Sequence, residues 1–404
     1  MAKVNSGIFK EYDIRGIYRK DFDEEFARDF GNKLCLGLSV KNIVVGHDGT
    51  TASRSLVKAL LDGLLSAGTN IIFLDACTTP IMYFAVNIKG ANAGIMVTAS
   101  HNPNEYSGFK VVGENAAIIG GNELKKIYEQ TRAVNIQSGN ISQYNAVDEY
   151  SHKVVGLAGS IPNTCTVAVT GPEIVKSIFK KIGEKTNLEI IEDIHGVALR
   201  IQVDQDGDRI AFFEGETRIE ADLIFLLVAE KMGYKRVVHE LRFSQAVRDR
   251  LRELSVQSIV SKVGRLNLYE AMRKNQADFG GEYSGHFYFK DFYYLESPEL
   301  MLLHVCNIVR HEGKNLPELI KPYQVYYRQP EISFPYNPDV LRQLEEKYSD
   351  GKIDKLDGLT VEYTDWWFNL RPSNTEPLMR LVVEAKTKEL LDQKVSELRE
   401  VLSG

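Results

Sequence analysis

The 404-residue chain is 26% charged and 44% hydrophobic, with 31 Gly and 12 Pro, which excludes collagen-like, mucin-like and largely disordered chains. Its 49 basic and 55 acidic residues leave a formal net charge of −6, which argues against a nucleic-acid binder. The four cysteines, Cys35, Cys77, Cys165 and Cys306, are far apart and form no C-x-x-C. That excludes a zinc knuckle or a thioredoxin-type pair and fits reduced core thiols of a cytoplasmic protein. The first twenty residues contain no apolar leader segment. The strongest apolar runs, such as Ile224–Ala229, fall far short of the ~20 residues a membrane span needs.

In chain order, Asn42–Val45 reads as a buried strand ending in a polar loop, and Ser53–Ala67 as a helix with Leu56, Ala59, Leu60 and Leu64 on one face. Asn70–Leu74 and Ala93–Val97 are the next strands. Alternation of this kind predicts βαβ units and a mostly parallel sheet. The plan recurs with strand Leu199–Val203, helix Ala221–Met232, strands Arg236–His239 and Gln257–Val260 around helix Ser244–Leu254, and strand Ala277–Gly280. The tail differs. Val325–Pro335 and Leu359–Phe368 are strand-rich and Lys386–Leu402 is helical, which predicts a smaller α+β domain.

Ligands of α/β sheets bind at the loops that follow the strands, and four such loops carry chemistry. Asp204, Asp206 and Asp208 end a strand at i, i+2 and i+4. Carboxylates at that density repel one another without a cation, and hard oxygen donors suit Mg²⁺ or Ca²⁺. An EF-hand is excluded because Arg209 and Gly215 stand where its loop needs Gly and Glu. The plainer alternative is a solvated acidic turn. Ser100, in the stretch VTASHNPNEYSGFK, is either a nucleophile beside the cation Lys110 or a turn residue that caps a helix. Gly280–His286 sets Glu282 and Ser284 two apart between glycines. In an extended loop both point one way and suit vicinal sugar hydroxyls; otherwise the segment is a Gly-rich hairpin. Arg371-Pro372-Ser373-Asn374-Thr375-Glu376-Pro377 offers an Arg fork, hydroxyls, an amide and backbone N–H groups to a phosphate dianion, with Arg380 as a second cation. Its alternative is a Pro-bounded turn. His47-Asp48-Gly49-Thr50 is similar to the tail of an aspartyl-phosphate loop, but Gly46 stands where the nucleophile would be.

Together, and in this order from Tyr12-Asp13-Ile14-Arg15-Gly16 onward, the loops resemble the α-D-phosphohexomutase superfamily, most closely its phosphomannomutase/phosphoglucomutase branch. The resemblance implies three α/β domains with mixed sheets plus a smaller α+β C-terminal domain around a central cleft. The domains would span 1–138 (phosphoserine loop), 139–218 (metal loop), 219–326 (sugar loop) and 327–404 (phosphate loop). It implies that Ser100 is the phosphoserine and that Asp204, Asp206 and Asp208 hold Mg²⁺ with Ser100 as a further ligand. Arg15, Lys110, Arg209 and His286 would line the reacting centre, with Tyr12 supporting Arg15. Tyr12, His101, Glu282, Ser284, Arg371, Ser373, Asn374 and Thr375 would bind substrate. The activity implied is reversible phosphoryl transfer between the 1- and 6-positions of mannose or glucose phosphate. Glucose or mannose 1,6-bisphosphate would be its activator, and the enzyme a monomer or weak homo-oligomer. A phosphoglucosamine mutase and a catalytically silent phosphosugar binder are the rival readings.

Relative to the family pattern, the stretch between Ser100 and Asp204 is short, which implies a trimmed second domain. Arg265 stands where a His is common and His47 where an Arg is common. Gln205 replaces a Gly of the metal loop, which restricts its backbone. Asp291–Leu300 lacks the usual Asp-Gly, and Tyr283 replaces a Met or Gln.

Overall fold

The computed structural model describes residues 5–103, 105–136, 139–193, 197, 199–373 and 376–403. The chain forms two compact units, residues 1–219 with 285–316, and residues 220–284 with 317–404.

In the first unit, Asn42–His47 pairs in parallel with Asn70–Ala76 on one side and Ala93–Val97 on the other, as the apolar runs predict. Tyr106–Val112 then returns antiparallel to Ala93–Val97, and Ile14–Ile17 is antiparallel to Tyr106–Val112. The sheet is therefore mixed rather than mostly parallel. The loop between Val97 and Tyr106 is too short to hold the crossover helix that a parallel neighbour requires. Helices Glu24–Leu38 and Thr51–Ser66 are capped by the Asp23 carboxylate and the Thr50 hydroxyl. Phe22, Phe26, Phe30 and Phe109 pack as an aromatic cluster in the core, each contributing about 2–3 kcal/mol through burial. A Cβ on Gly108 would collide with the Ile14 carbonyl, so glycine lets the strands carrying Arg15 and Lys110 approach.

A second sheet in this unit has Cys165–Thr170 parallel to Leu188–Ile191 and Arg200–Val203. Ile210–Glu214 and Thr217–Arg218 continue it antiparallel. Among the described residues this sheet has five strands, and helices Val147–Ala158 and Glu173–Gly183 come from the same stretch of chain. All four cysteines are free and buried. Cys306 is the chief influence on the Cys165 thiol and holds it below its usual range, a proximity their wide spacing gave no reason to expect.

Helix Pro298–Glu312 brings Glu299 against Tyr150, whose hydroxyl donates at 2.6 Å to Glu299 and lies 3.2 Å from Ser297 Oγ. Burial pushes the Glu299 carboxyl from 4.5 up to about 7. The folded state therefore favours its protonated form, and that stabilisation, complete below the unfolded value, is lost as pH rises through about 7. Glu299→Gln should gain up to about 3 kcal/mol over the parent at pH 8 and much less at pH 5. Denaturant titrations at both values check this; an equal difference at the two contradicts it.

In the second unit, Arg236–Glu240 pairs in parallel with Gln257–Ser261 and Phe279–Gly281. The apolar run Ile224–Ala229 lies in helix Ala221–Lys231 and is buried on every side. The tail forms an antiparallel sheet in the order Tyr327–Pro335, Leu378–Ala385, Trp366–Pro372, Leu359–Glu362, Lys352–Asp354. Val340 and Leu344 of helix Asp339–Lys347, with Leu391, Val395 and Leu398 of helix Lys388–Ser403, join its core. The expected strand Leu359–Phe368 is two strands, because Tyr363 N donates to Trp366 O at 2.9 Å and closes a tight turn between them. Among the described residues, no helix is long and apolar enough to cross a membrane.

Candidate active site

Ser100 leaves strand Ala93–Val97 on a buried loop with φ of 53°, a left-handed conformation that non-glycine residues adopt at a cost. The surroundings fix it. Ser100 N donates to Thr98 Oγ1 at 2.7 Å and Ala99 N to Asp48 Oδ2 at 3.2 Å. Asp48 is therefore a scaffold for the serine loop. No helix begins at Ser100: turns lead into the strand Tyr106–Val112, which removes the capping alternative. Ser100 Oγ lies 3.4 Å from His101 Nδ1.

The carboxylates follow strand Arg200–Val203. Gly207, at φ of 69°, turns the loop. Gln205 adopts no left-handed conformation, so its replacement of glycine costs nothing there, and its amide donates to Asp48 O at 3.2 Å. Asp204 Oδ1 accepts from the backbone N–H groups of Asp208 and Arg209. Asp206 Oδ2 accepts from Thr79 Oγ1 at 2.7 Å and from Lys110 Nζ at 2.6 Å, and Lys110 also bonds Asp208 Oδ2. Burial, then Asp208 and Asp206, push the Asp204 carboxyl up to about 7. Burial also opposes the charge of Asp208, but Lys110 and His286 outweigh it and hold that carboxyl well below its usual range.

One oxygen of each aspartate (Asp204 Oδ2, Asp206 Oδ1 and Asp208 Oδ1) is buried without a hydrogen bond, and the three side chains bring a donor atom each within 4.8 Å of one another. Buried carboxylate oxygens without donors are costly. An all-oxygen set of this kind fits a hard divalent cation, so the residues present fit Mg²⁺.

The cations sit around this loop. Arg15 is held by Asp13, and its Nη1 donates to Asn102 Oδ1 at 2.8 Å. Tyr12 is half-buried just before the strand Ile14–Ile17. Arg209 Nε lies 3.7 Å from Asp204 Oδ2 and donates to His286 Nε2 at 3.3 Å. His286 Nε2 is 3.4 Å from Asp208 Oδ1. His101 keeps a solvent-exposed edge, yet partial burial and then Arg209, Arg15, Lys110 and His286 pull its imidazole down to about 3. The structure thus gathers the residues predicted for the reacting centre within the first unit.

The remaining predicted residues belong to the second unit. Glu282 is buried after strand Phe279–Gly281, and Ser284 is half-buried. The chain turns at Tyr283 and Ser284 instead of running extended, so the i, i+2 alternation does not set their directions. Gly285, at φ of 97°, permits the reversal. Tyr283 bonds Glu220 and lies under the guanidinium of Arg328, 4.5 Å from its ring centre. Arg265 opens helix Arg265–Asn275 and is buried.

Arg371 is buried at the end of strand Trp366–Pro372, with Nε lacking a partner. Its Nη2 is 3.7 Å from Glu331 Oε2. Arg242 at 3.1 Å and Arg380 at 2.9 Å share the same carboxylate. Ser373 N donates to Leu378 O, whereas Asn374 and Thr375 lie outside the described residues. Asp13, Thr79, Asp48, Arg242 and Glu331 were not singled out in sequence as partners of these groups. Asp13 alone lies close to its partner in sequence, two residues before Arg15.

Three comparisons bear on this arrangement. The model of phosphoglucomutase/phosphomannomutase alpha/beta/alpha domain I matches residues 6–137, that of alpha/beta/alpha domain III matches 220–326, and that of the C-terminal domain matches 337–401. A phosphomannomutase of Methanocaldococcus jannaschii is 30% identical over 442 residues, spanning 98% of this chain and 97% of the relative. The chain belongs to the phosphoglucomutase/phosphomannomutase family. It is thereby a member of the α-D-phosphohexomutase superfamily. Proteins named phosphohexose mutases in Xanthomonas campestris pv. campestris are likewise 30% identical, over 98% of this chain and 99% of the relative. Among solved structures, a phosphoglucomutase/phosphomannomutase family protein of Burkholderia thailandensis superposes with a TM-score of 0.88. It is 25% identical and covers 99% of this chain and 97% of its own.

Proposed function

We propose that this phosphohexomutase interconverts the 1- and 6-phosphates of mannose or glucose through a phosphorylated Ser100. The reading rests chiefly on one observation: a serine held in a left-handed turn on a loop anchored by Asp48, whose carbonyl also holds Gln205 of the carboxylate loop, with the neighbouring His101 in the field of Lys110, two arginines and His286. In this reading phospho-Ser100 donates its phosphoryl group to the 6-hydroxyl of a hexose 1-phosphate, and the hydroxyl proton passes to a protein base. The 1,6-bisphosphate turns end for end and returns its 1-phosphoryl group to Ser100, leaving the hexose 6-phosphate.

Asp204, Asp206 and Asp208 would hold Mg²⁺, with Ser100 as a further ligand, and the ion would supply electrostatic stabilisation to the transferring phosphoryl group. Arg15, oriented by Asp13 and Asn102, and Arg209 balance the charge of the phosphoserine, nearly −2. In-line positioning and charge stabilisation are the main demands of phosphoryl transfer. His286 Nε2 accepts a hydrogen bond from Arg209, so its lone pair suits a proton acceptor, whereas Lys110 is committed to Asp206 and Asp208. His286 is the better general base. Within the second unit, Glu282 and Ser284 bind sugar hydroxyls, and Arg371, Ser373, Asn374 and Thr375 hold the non-reacting phosphate. We assign the four domains the spans 1–138, 139–218, 219–326 and 327–404, Tyr12 and His101 to substrate contact, and the 1,6-bisphosphate to activation.

The test is the intact mass of the protein after treatment with glucose 1,6-bisphosphate and Mg²⁺. The expected result is one added phosphoryl group that maps to Ser100; an unchanged mass contradicts the phosphoserine assignment. Glu282→Ala should retain that phosphorylation and raise KM for hexose 1-phosphate by about tenfold or more, in line with a lost charge-assisted hydrogen bond. Parent-like steady-state kinetics would remove Glu282 from sugar binding.

A further inference from the structure

A second set of donors adjoins the triad. Asp208, His286 and Glu296 are all buried and bring one donor atom each within 4.8 Å of one another. They come from separate segments. Asp208 follows strand Arg200–Val203, His286 precedes strand Phe287–Phe289, and Glu296 lies on the strand Leu295–Glu296 that pairs antiparallel with it. Lys110 takes Asp208 Oδ2. Asp208 Oδ1 is buried, accepts no hydrogen bond, and has His286 Nε2 at 3.4 Å. Arg209 donates to that nitrogen, so its lone pair points to Arg209, and an ion here would take Arg209's place on it. One imidazole nitrogen with two carboxylate oxygens is a poor match for Mg²⁺, which takes oxygen. It is a donor set of the borderline ions, three protein ligands with a fourth position left open.

We propose that Asp208, His286 and Glu296 form a second divalent-cation site, one that takes ions of the Zn²⁺ and Co²⁺ class and competes with the all-oxygen triad. The competition follows from Asp208, whose Oδ1 alone remains for either ion. Charge points the same way. Asp204, Asp206, Asp208 and Glu296 face Lys110, Arg209 and Arg15, a balance that accommodates one dication and not two. An ion at this site engages the lone pair of His286 and draws Asp208 from the triad, so it inhibits any reaction that uses either.

Co²⁺ added to the metal-free full-length protein is the probe, and no substrate or turnover is involved, so the outcome is independent of the mutase reading. Calorimetry should show one Co²⁺ per chain with an affinity that falls as Mg²⁺ is added, and X-ray absorption of the wild-type complex should show imidazole scattering. His286→Gln and Glu296→Gln should each weaken Co²⁺ binding by about tenfold or more. Absence of imidazole scattering overturns the proposal without recourse to a variant. So does unchanged Co²⁺ affinity in folded His286→Gln and Glu296→Gln, which would place the ion on the aspartate triad alone.

Discussion

Ser100→Ala is expected to lower mutase turnover by about 10³-fold or more while hexose-phosphate binding stays within about threefold. The loss should be large because, in the proposed cycle, the hydroxyl oxygen forms and breaks the P–O bond, and alanine offers no replacement. Binding should survive because Glu282 and Arg371, the proposed sugar and phosphate contacts, belong to the second unit, apart in sequence from the serine loop. Ser100 N and Ala99 N would still be held by Thr98 and Asp48, so the loop itself should persist. Single-turnover assays and calorimetry with glucose 1-phosphate separate the two effects. Turnover close to the parent's would remove Ser100 from its role, and a parallel loss of binding would make its role structural.

Lys110→Met should destabilise the metal-free protein by about 3–5 kcal/mol, the usual consequence of taking one partner from a buried ion pair. Lys110 is buried, 2.6 Å from Asp206 Oδ2 and hydrogen-bonded to Asp208. Burial lowers the ammonium's affinity for its proton, but Asp206, Asp208 and Asp204 more than offset that and hold it above its ordinary range. Methionine keeps much of the side-chain volume and removes the charge, leaving three carboxylates without their ammonium. If the triad takes Mg²⁺, saturating Mg²⁺ should restore much of the lost stability, so the Mg²⁺-induced rise in Tm should be larger in the variant than in the parent. Equal rises in the two proteins, or a metal-free variant as stable as the parent, would contradict this electrostatic account.

The sequence reveals the backbone plan most clearly where apolar runs end in chemical loops. Ala93–Val97 before Ser100 and Arg200–Val203 before the aspartates are such cases, because an apolar stretch of strand length bounded by polar or glycine residues has few other uses. It fails at the return through Tyr106–Val112, where the pattern of strand and helix suggests parallel pairing but the loop length forbids it. The candidate reacting residues stand out as motifs, whereas what holds them does not. Arg15 is oriented by Asp13 and Asn102, Asp206 by Thr79, and Arg371 is charge-matched by Glu331. Most of these partners come from segments far away in the chain, and no local period announces them. The proximity of Cys306 to Cys165 is hidden for the same reason. Tyr283 and Ser284 show a smaller failure: strand alternation was extended into a loop that turns at Gly285.

The most direct test is ³¹P NMR of the purified protein with Mg²⁺, a trace of glucose 1,6-bisphosphate, and mannose 1-phosphate, glucose 1-phosphate or glucosamine 1-phosphate supplied separately. The 1-phosphate resonance of mannose or glucose should give way to a 6-phosphate resonance. That conversion should require both Mg²⁺ and Ser100. A folded protein that binds these sugars yet converts none of them would contradict it and would identify the chain as a silent phosphosugar binder.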